Sequence, residues 1–286
     1  MKKPLTAAAV VLGLLGPLWC ACAQGKAPAK PAPKAAEAKA TAAKAANIKT
    51  QDVEYKVGQA VLLGQLVWDE SQTGKRPGVL VVHEWWGLNA HAKNQAARLA
   101  KAGYVAFALD MYGKGKLAQH PKDAQAFVAE ATADPATAKA RFVAGLAQLK
   151  KAPQVDPSQL AAIGYCFGGA VVLDMARSGE ELAAVVSFHG ALGSKLTAIK
   201  GIKPRILVAT GADDPMIGPE LVEKFRQEMT AAAARFEIIS YPGAKHSFTN
   251  PDADKAGVPG LGYNAAADQG SWEAMLKVFA DVFPKR

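Results

Sequence analysis

The sequence predicts an α/β fold built on a mostly parallel central sheet, with an N-terminal antiparallel hairpin and helices on both faces. Short apolar runs, several of them rich in Val and Ile, alternate with helical patterns along residues 48–286. This alternation is typical of a parallel sheet whose two faces are both covered. A region of this length can bury a substantial core, and no repeat of 20–50 residues divides it. We therefore expect one domain over residues 48–286.

Each element of this fold has a local signal. The stretch VEYKVGQAVLLGQLVWD is predicted to form the hairpin, with Gly58 near its turn. The next strands are predicted from six apolar runs: GVLVVH, YVAFALD, LAAIGY, AAVVSFHG, RILVATG and FEIISYPG. Helical patterns lie at about residues 90–102, 121–150, 168–179, 218–233 and 267–282. In such sheets, functional side chains gather at the carboxyl ends of the strands.

Residues 1–23 are predicted to be a secretory signal peptide. Two lysines precede an uncharged apolar stretch that is short for a membrane span, and Ala21-Cys22-Ala23 fits the small-x-small pattern before a cleavage site. We expect cleavage after Ala23, export to the periplasm and no stable membrane insertion of the mature chain. The alternative is a lipoprotein anchored through Cys22, although the usual aliphatic residue three places earlier is missing.

Residues 24–47 are predicted to be a flexible tether. They are mainly Ala, Lys and Pro without an aromatic residue, so they bury too little apolar surface to fold alone. Seven lysines and one glutamate precede residue 48, which leaves about +3 of the total net charge of +9 on the folded region. The high isoelectric point therefore belongs largely to the N-terminal end and does not indicate a nucleic-acid-binding surface.

Cys166 is the cysteine that remains after cleavage, because Cys20 and Cys22 lie in the predicted signal. Alone, it has no partner for an intramolecular disulfide and no second thiolate for a structural zinc site. One interpretation is a buried, inert core cysteine. The other is a nucleophile.

The surroundings of Cys166 favour the nucleophile. GYCFG has the form G-x-nucleophile-x-G, in which a strand turns sharply into a helix and the two glycines avoid collisions. The motif follows an apolar strand and precedes a helical pattern, as a nucleophile elbow requires. The start of the helix favours thiolate, and the backbone N–H of Phe167 is a candidate oxyanion donor.

A nucleophile needs a base, and the base needs an acid that orients it. In α/β-hydrolases the chain order is nucleophile, acid, histidine. Asp213 and Asp214 follow the RILVATG run, and His246 follows the next one. We prefer Asp214 because its surroundings fit the loop G-x-x-D-P-x-(V/I), while turn capping is the other role open to these aspartates. His189 is a competing histidine, but it precedes the acid.

Together, the motifs HEWWGLN, DMYGKG, GYCFGG, GADDP and PGAKHSF resemble those of the dienelactone hydrolases, over roughly residues 50–284. The resemblance implies an α/β-hydrolase fold with no metal or organic cofactor. It implies a catalytic triad of Cys166, Asp214 and His246.

The HEWWGLN motif has two further implied roles. The backbone N–H of Trp85 would join that of Phe167 in the oxyanion hole, and Glu84 would be the carboxylate that holds or activates the thiol. Independently of the resemblance, a carboxylate beside a thiol disfavours the thiolate, so Glu84 would protect Cys166 from oxidation until substrate arrives. The alternative is that Glu84 bonds local backbone amides.

The chain departs from the family in its pocket. Characterised dienelactone hydrolases carry one arginine shortly after the D-x-Y segment and another four residues after the histidine, and both bind the substrate carboxylate. Here these positions are Lys114, which lacks the bidentate fork, and Asn250, which has no charge. The other predicted pocket residues, for each of which ordinary packing is the alternative, are Trp85, Trp86, Tyr112 and Ser247.

We therefore expect an exported α/β-hydrolase that acts on a small-molecule ester or lactone. His246, oriented by Asp214, accepts the proton of Cys166, and water then cleaves the resulting thioester. The alternatives are a thioesterase or small-acyl esterase, and a catalytically weak envelope protein that binds a ligand or partner in the same pocket. We expect no nucleic-acid partner and a monomeric protein.

Overall fold

The computed structural model describes residues 45–284. The predicted signal peptide and most of the predicted tether lie outside the described residues. The strands are β1 (Ile48–Val57), β2 (Ala60–Asp69), β3 (Arg76–Val82), β4 (Val105–Leu109), β5 (Val155–Tyr165), β6 (Ala184–Phe188), β7 (Arg205–Gly211) and β8 (Arg235–Tyr241). The helices are α1 (Ala90–Lys101), α2 (Pro121–Ala131), α3 (Pro135–Lys151), α4 (Phe167–Arg177), α5 (Pro219–Ala231) and α6 (Ala265–Val282). No helix within this described range is long and apolar enough to cross a membrane.

The strands form one sheet in the order β1-β2-β4-β3-β5-β6-β7-β8. β1 and β2 make the predicted antiparallel hairpin, and Gly58 has a positive φ of 56° at its turn. β2 also pairs antiparallel with β4, while every pairing from β4 to β8 is parallel. The predicted mostly parallel sheet is confirmed.

Both faces of the sheet are covered. Along β3, Leu80 and Val82 point into one apolar core, and Val79 and Val81 point into the other. The first core receives α3, α4 and α5, and the second receives α1 and α6. Alternate side chains of a strand face opposite sides, so a strand that is apolar at every position needs two such cores.

The long helical pattern at residues 121–150 is two helices. α2 ends at Ala131, and α3 begins at Pro135. Asp134 has extended backbone and accepts a hydrogen bond from the backbone N–H of Thr137 at 2.8 Å. The prediction of one helix was wrong because a proline holds the preceding residue out of the helical region, and that residue here caps a new helix.

The chain order of the sheet brings the predicted catalytic segments to one edge. Cys166 follows β5, the aspartate pair follows β7, and His246 lies a few residues after β8. The loop that begins at His83 follows β3, which neighbours β5. Because these strands are parallel, their carboxyl ends meet at the same edge of the sheet.

Candidate active site

Cys166 lies at a sharp turn between β5 and α4. Its φ of 52° and ψ of −113° are strained for a residue with a side chain. A Cβ at Gly164 would lie 2.0 Å from the carbonyl oxygen of Gly168, and a Cβ at Gly168 would lie 2.4 Å from that of Val82. Both glycines are therefore needed for the backbone to turn this tightly, as a nucleophile elbow requires.

His246 pairs with Asp214. The distance from His246 Nδ1 to Asp214 Oδ2 is 2.8 Å, and both side chains are buried. The other oxygen of Asp214 accepts a hydrogen bond from the backbone N–H of Met216 at 2.8 Å. Asp213 is exposed, and only its backbone N–H is bonded here, to the carbonyl oxygen of Ala244. Of the two neighbouring aspartates, Asp214 is therefore the one that contacts His246.

The second ring nitrogen of His246 lies on the side of Cys166. Nε2 is buried and makes no hydrogen bond of ordinary distance and angle within residues 45–284, while Cys166 and His246 line the same cavity. Burial alone would lower the pKa of His246, but the Cys166 sulfur and the Asp214 carboxylate beside it together raise the pKa to about 10. A raised pKa makes the imidazole a stronger base for the thiol proton.

Two backbone N–H groups beside Cys166 are free of partners. Among the described residues, neither the N–H of Trp85 nor that of Phe167 donates a hydrogen bond. Phe167 is the first residue of α4, where the N–H groups have no partner inside the helix. These are the two amides predicted to form the oxyanion hole.

His83 holds the peptide that carries one of these amides. The backbone N–H of Met111 donates to His83 Nε2 at 3.2 Å, so Nδ1 carries the proton and donates to the carbonyl oxygen of Glu84. That carbonyl and the Trp85 N–H belong to one planar peptide, so fixing one fixes the other. His83 is fully buried, and burial lowers its pKa, which keeps it neutral with this proton arrangement.

His189 contacts the backbone of Cys166. Its Nδ1 shares the backbone N–H of Cys166, at 3.1 Å, with the carbonyl oxygen of Phe188, which lies 3.0 Å from the same nitrogen. Its Nε2 therefore carries the proton and donates to the hydroxyl of Thr249 at 2.8 Å. Burial lowers the pKa of His189 well below its ordinary value. The sequence presents this residue as a rival base, but both of its ring nitrogens are hydrogen-bonded here, and burial favours its neutral form.

Glu84 accepts a hydrogen bond from Asn250. Asn250 Nδ2 donates to Glu84 Oε2 at 2.7 Å, and both side chains are buried. Glu84 Oε1 has no hydrogen-bond partner among the described residues. The neutral amide at position 250 thus binds the carboxylate that is predicted to act on the thiol, and the action of Glu84 on the thiol stays a prediction.

A cavity of about 600 Å³ opens beside Cys166. Its wall includes Trp85, Cys166, Phe167 and His246, and most of its other side chains are apolar. This volume lies in the range of small-molecule sites. The cavity extends from the elbow along α4 towards the break between α2 and α3 and towards the loop at residues 191–196.

The remaining predicted pocket residues lie outside this wall. Lys114 Nζ forms an ion pair with Glu54 at 2.6 Å on the surface. The Tyr112 hydroxyl donates to the Trp85 carbonyl at 3.0 Å, and the Trp86 ring packs edge-on against that of Trp85. Ser247 is buried beside the histidine with a φ of 57°. Roles for these residues in substrate binding stay predictions.

The described residues offer no built metal site. Within residues 45–284, no group of three or more His, Cys, Asp or Glu side chains is arranged to hold a metal ion. The chemistry that the arrangement supports directly is nucleophilic attack, general base catalysis and stabilisation of an oxyanion.

A family model and a curated relative both match this chain and point to the same family. The model of the dienelactone hydrolase family matches residues 63–283. A provisionally assigned carboxymethylenebutenolidase of Escherichia coli (strain K12) is 31% identical over 223 residues, which cover 72% of this chain and 77% of that protein.

Solved structures agree with this comparison. A dienelactone hydrolase-like promiscuous phosphotriesterase from metagenomic libraries is 38% identical, with a TM-score of 0.80, over 83% of this chain and 99% of its own. The dienelactone hydrolase of Anabaena variabilis has a TM-score of 0.58 at 20% identity, over 80% of this chain and 98% of its own. The second likeness is evidence of the fold alone.

Proposed function

The chain belongs to the dienelactone hydrolase family, whose members are α/β-hydrolases that act on small molecules, and from this membership we propose that it hydrolyses a carboxylic ester or lactone through Cys166, His246 and Asp214. One observation carries the proposal. His246 contacts Asp214 through one ring nitrogen, and its other ring nitrogen is buried beside the sulfur of the strained elbow cysteine, with which it lines one cavity.

The first half of the reaction makes a thioester. His246 Nε2 takes the thiol proton, and the sulfur of Cys166 forms a bond to the carbonyl carbon. The oxyanion that develops is stabilised by the amides of Trp85 and Phe167. When the intermediate collapses, the bond to the alcohol oxygen breaks, and His246 gives its proton to that oxygen.

The second half restores the enzyme. Water loses a proton to His246 and attacks the thioester carbon, and the carbon–sulfur bond then breaks. The acid product leaves and the proton returns to Cys166. Asp214 stabilises the imidazolium in both halves and holds the ring in the required tautomer.

Turnover of an activated ester tests this proposal. Wild-type protein should release p-nitrophenol from p-nitrophenyl acetate over many turnovers, and Cys166→Ala should not. Release of a single equivalent that then stops would favour the alternative of a catalytically weak binding protein. Hydrolysis of acyl thioesters at a much higher kcat/KM than oxygen esters would favour the thioesterase alternative.

A second candidate function is hydrolysis of uncharged phosphotriesters. The similarity to a promiscuous phosphotriesterase and the mainly apolar cavity favour it. The Cys166 sulfur would displace the leaving alcohol from phosphorus, and water would then release the phosphodiester. Repeated release of p-nitrophenol from diethyl p-nitrophenyl phosphate would support this activity, whereas one equivalent followed by permanent inactivation would exclude it.

We also propose that the mature protein is exported and begins at Gln24. The support is the signal-like composition of residues 1–23. The intact mass of protein from a periplasmic fraction tests this directly. A mature chain that begins at a lipid-modified Cys22 would contradict it.

A further inference from the structure

We propose that the natural substrate is an uncharged ester or lactone with an extended apolar group, which binds along α4 and the break between α2 and α3. This inference rests on the proposed function and names its substrate class. It commits to the absence of a carboxylate on the part of the substrate that enters the cavity.

The cavity wall continues from the elbow as an apolar surface. Phe167, Ala170, Val171 and Met175 line the cavity from one side of α4. Spacings of three and four residues place them on a single helix face, which leads away from the sulfur. A group attached to the scissile carbonyl can therefore extend along this face without meeting a polar side chain of α4 until Asp174.

Side chains of α2 and α3 add apolar surface to the cavity wall. Val128 of α2 and Ala138 of α3 line it, and both pack against the first apolar core. The small side chain of Ala138 leaves room at this point. The break between the two helices therefore supplies volume, and the wall gains contacts when an alkyl or aryl group fills it.

Charged side chains on the lining are already engaged or exposed. The Asp174 carboxylate lies 3.1 Å from Arg177, and the Asp134 carboxylate accepts hydrogen bonds from Thr137. Lys195 is exposed in the loop after β6. Away from the Cys166–His246 pair, a substrate carboxylate in the cavity would thus meet two negative side chains and one solvated cation, so its lost hydration would be poorly replaced.

The positions that bind a carboxylate in related enzymes supply no charge to the cavity here. Lys114 is about half exposed and pairs with Glu54, and it does not line the cavity. Asn250 is neutral and bonds Glu84. The chain has therefore lost the charges that would select an anionic substrate, while it keeps an apolar surface next to the nucleophile.

A series of p-nitrophenyl alkanoates from acetate to decanoate tests the apolar wall. Each buried methylene contributes about 0.8 kcal/mol, which is roughly a fourfold change in binding. We expect kcat/KM to rise about two- to fourfold per methylene until the cavity is filled. The same series of alkyl acetates shows whether the group lies on the alcohol side, and a flat profile in both series would overturn the inference.

A matched pair of substrates tests the effect of a substrate carboxylate. The p-nitrophenyl ester of hexanoate and the half-ester of adipate have similar length, but the second ends in a carboxylate. We expect the neutral ester to be preferred by about tenfold or more, given the cost of an uncompensated buried charge. A preference for the adipate half-ester that disappears in Lys195→Ala would show an anion site at the cavity mouth and contradict the proposal.

Substitutions that fill the cavity test where the apolar group of the substrate binds. Ala138→Phe should lower the ratio of kcat/KM for octanoate to that for acetate about tenfold or more. Ala140→Phe, which lies two residues further along α3 on an exposed position, should leave the ratio and the acetate rate unchanged. Val128→Phe gives the same test from α2 if Ala138→Phe does not fold, as judged by thermal unfolding.

These outcomes separate the two proposals. If no ester in any series is hydrolysed, the proposed function fails. If acetate is hydrolysed through Cys166 but the ratio is independent of chain length and of both cavity variants, only the substrate class is wrong.

Discussion

Hydrogen bonds fix the backbone around Cys166, whereas apolar contacts alone form most of the wall of the cavity. Beside the sulfur, buried neutral histidines bond the peptides that carry the reactive groups, as His83 does for the Trp85 peptide and His189 for the Cys166 amide. The apolar wall contains small and aliphatic side chains in contact with an open cavity. The first region has one geometry that hydrogen bonds impose, whereas the second tolerates changes of shape.

This difference predicts two kinds of mutational effect. Changes around Cys166 should lower kcat for every substrate, because they disturb groups that act only on the reacting carbonyl. Changes in the apolar wall should alter the ranking of substrates. A substitution in the apolar wall that lowered the rates for all substrates equally would contradict this difference. A substitution of His83 or His189 that altered only the ranking of substrates would contradict it too.

The largest effect is expected from Cys166→Ala. Loss of the nucleophile should lower kcat by about a thousandfold or more. The fold should persist, because a smaller side chain fits the same turn. Steady-state hydrolysis of p-nitrophenyl acetate with circular dichroism as a control measures both. Wild-type activity in this variant would make Cys166 a structural residue.

Asp214→Asn should come next. It removes the charge that stabilises protonated His246 and favours the wrong tautomer, so kcat should fall on the order of a hundred- to ten-thousandfold. Asp213→Asn is the matched control and should change kcat less than about twofold, since the Asp213 side chain is exposed and away from His246. The reverse ranking would assign the acid to the neighbour.

His83→Phe should have an intermediate effect. The aromatic ring is kept, but the hydrogen bond to the Glu84 carbonyl is lost, so the Trp85 amide is less well aimed. Because complete loss of an oxyanion donor costs about a hundredfold or more, we expect kcat to fall roughly tenfold, with KM little changed and equal losses for acetate and octanoate.

His91→Phe is the control for loss of a buried histidine. His91 lies 3.5 Å from the Thr249 hydroxyl and has no bond to the Glu84 carbonyl. It should affect kcat less than His83→Phe does. Equal effects of the two changes, with matching losses of thermal stability, would reduce His83 to a packing residue.

The strands and the turn at Cys166 could be predicted from the sequence. The apolar runs predicted the strands because a two-faced sheet demands apolar side chains at every position, and the predicted fold class is confirmed. The glycines around Cys166 predicted the turn, since a Cβ there would strike backbone atoms. The triad stays a prediction, although the fold brings its three residues to one edge.

The supports of the site could not be predicted in the same way. The bond from Met111 to His83 and the bond from Cys166 to His189 join residues 28 and 23 positions apart, and no local pattern encodes them. The break before Pro135 did have a signal in the Asp134-Pro135 pair. Its importance for the cavity appears only when α2, α3 and α4 are packed together.

Glu84→Gln tests the role of the buried carboxylate at equal size. If Glu84 disfavours the thiolate, the variant should react several-fold faster with iodoacetamide near neutral pH and lose activity faster to peroxide. Ester turnover should fall if the carboxylate assists activation after substrate binds. Alkylation rates from mildly acidic to alkaline pH decide the first point, and an unchanged profile would limit Glu84 to its bond with Asn250.

The smallest effect is expected from Lys114→Ala. Its ion pair with Glu54 is exposed, and such pairs contribute about 0–1 kcal/mol to stability. We expect the ratio of kcat/KM for the hexanoate ester to that for the adipate half-ester to change less than about twofold. A loss of adipate hydrolysis in this variant would show that Lys114 reaches the substrate after all.

Trapping the covalent intermediate shows whether Cys166 is the nucleophile. Wild-type protein mixed with a p-nitrophenyl ester is quenched in acid during the burst and digested, and the peptides are weighed by mass spectrometry. We expect one acyl group on the peptide that contains Cys166. Neutral hydroxylamine should remove this group, because it cleaves thioesters. An acyl group on another residue would contradict this role of Cys166. Steady hydrolysis by the wild type, with no acylated peptide detected in the wild type or in His246→Ala, would contradict it as well.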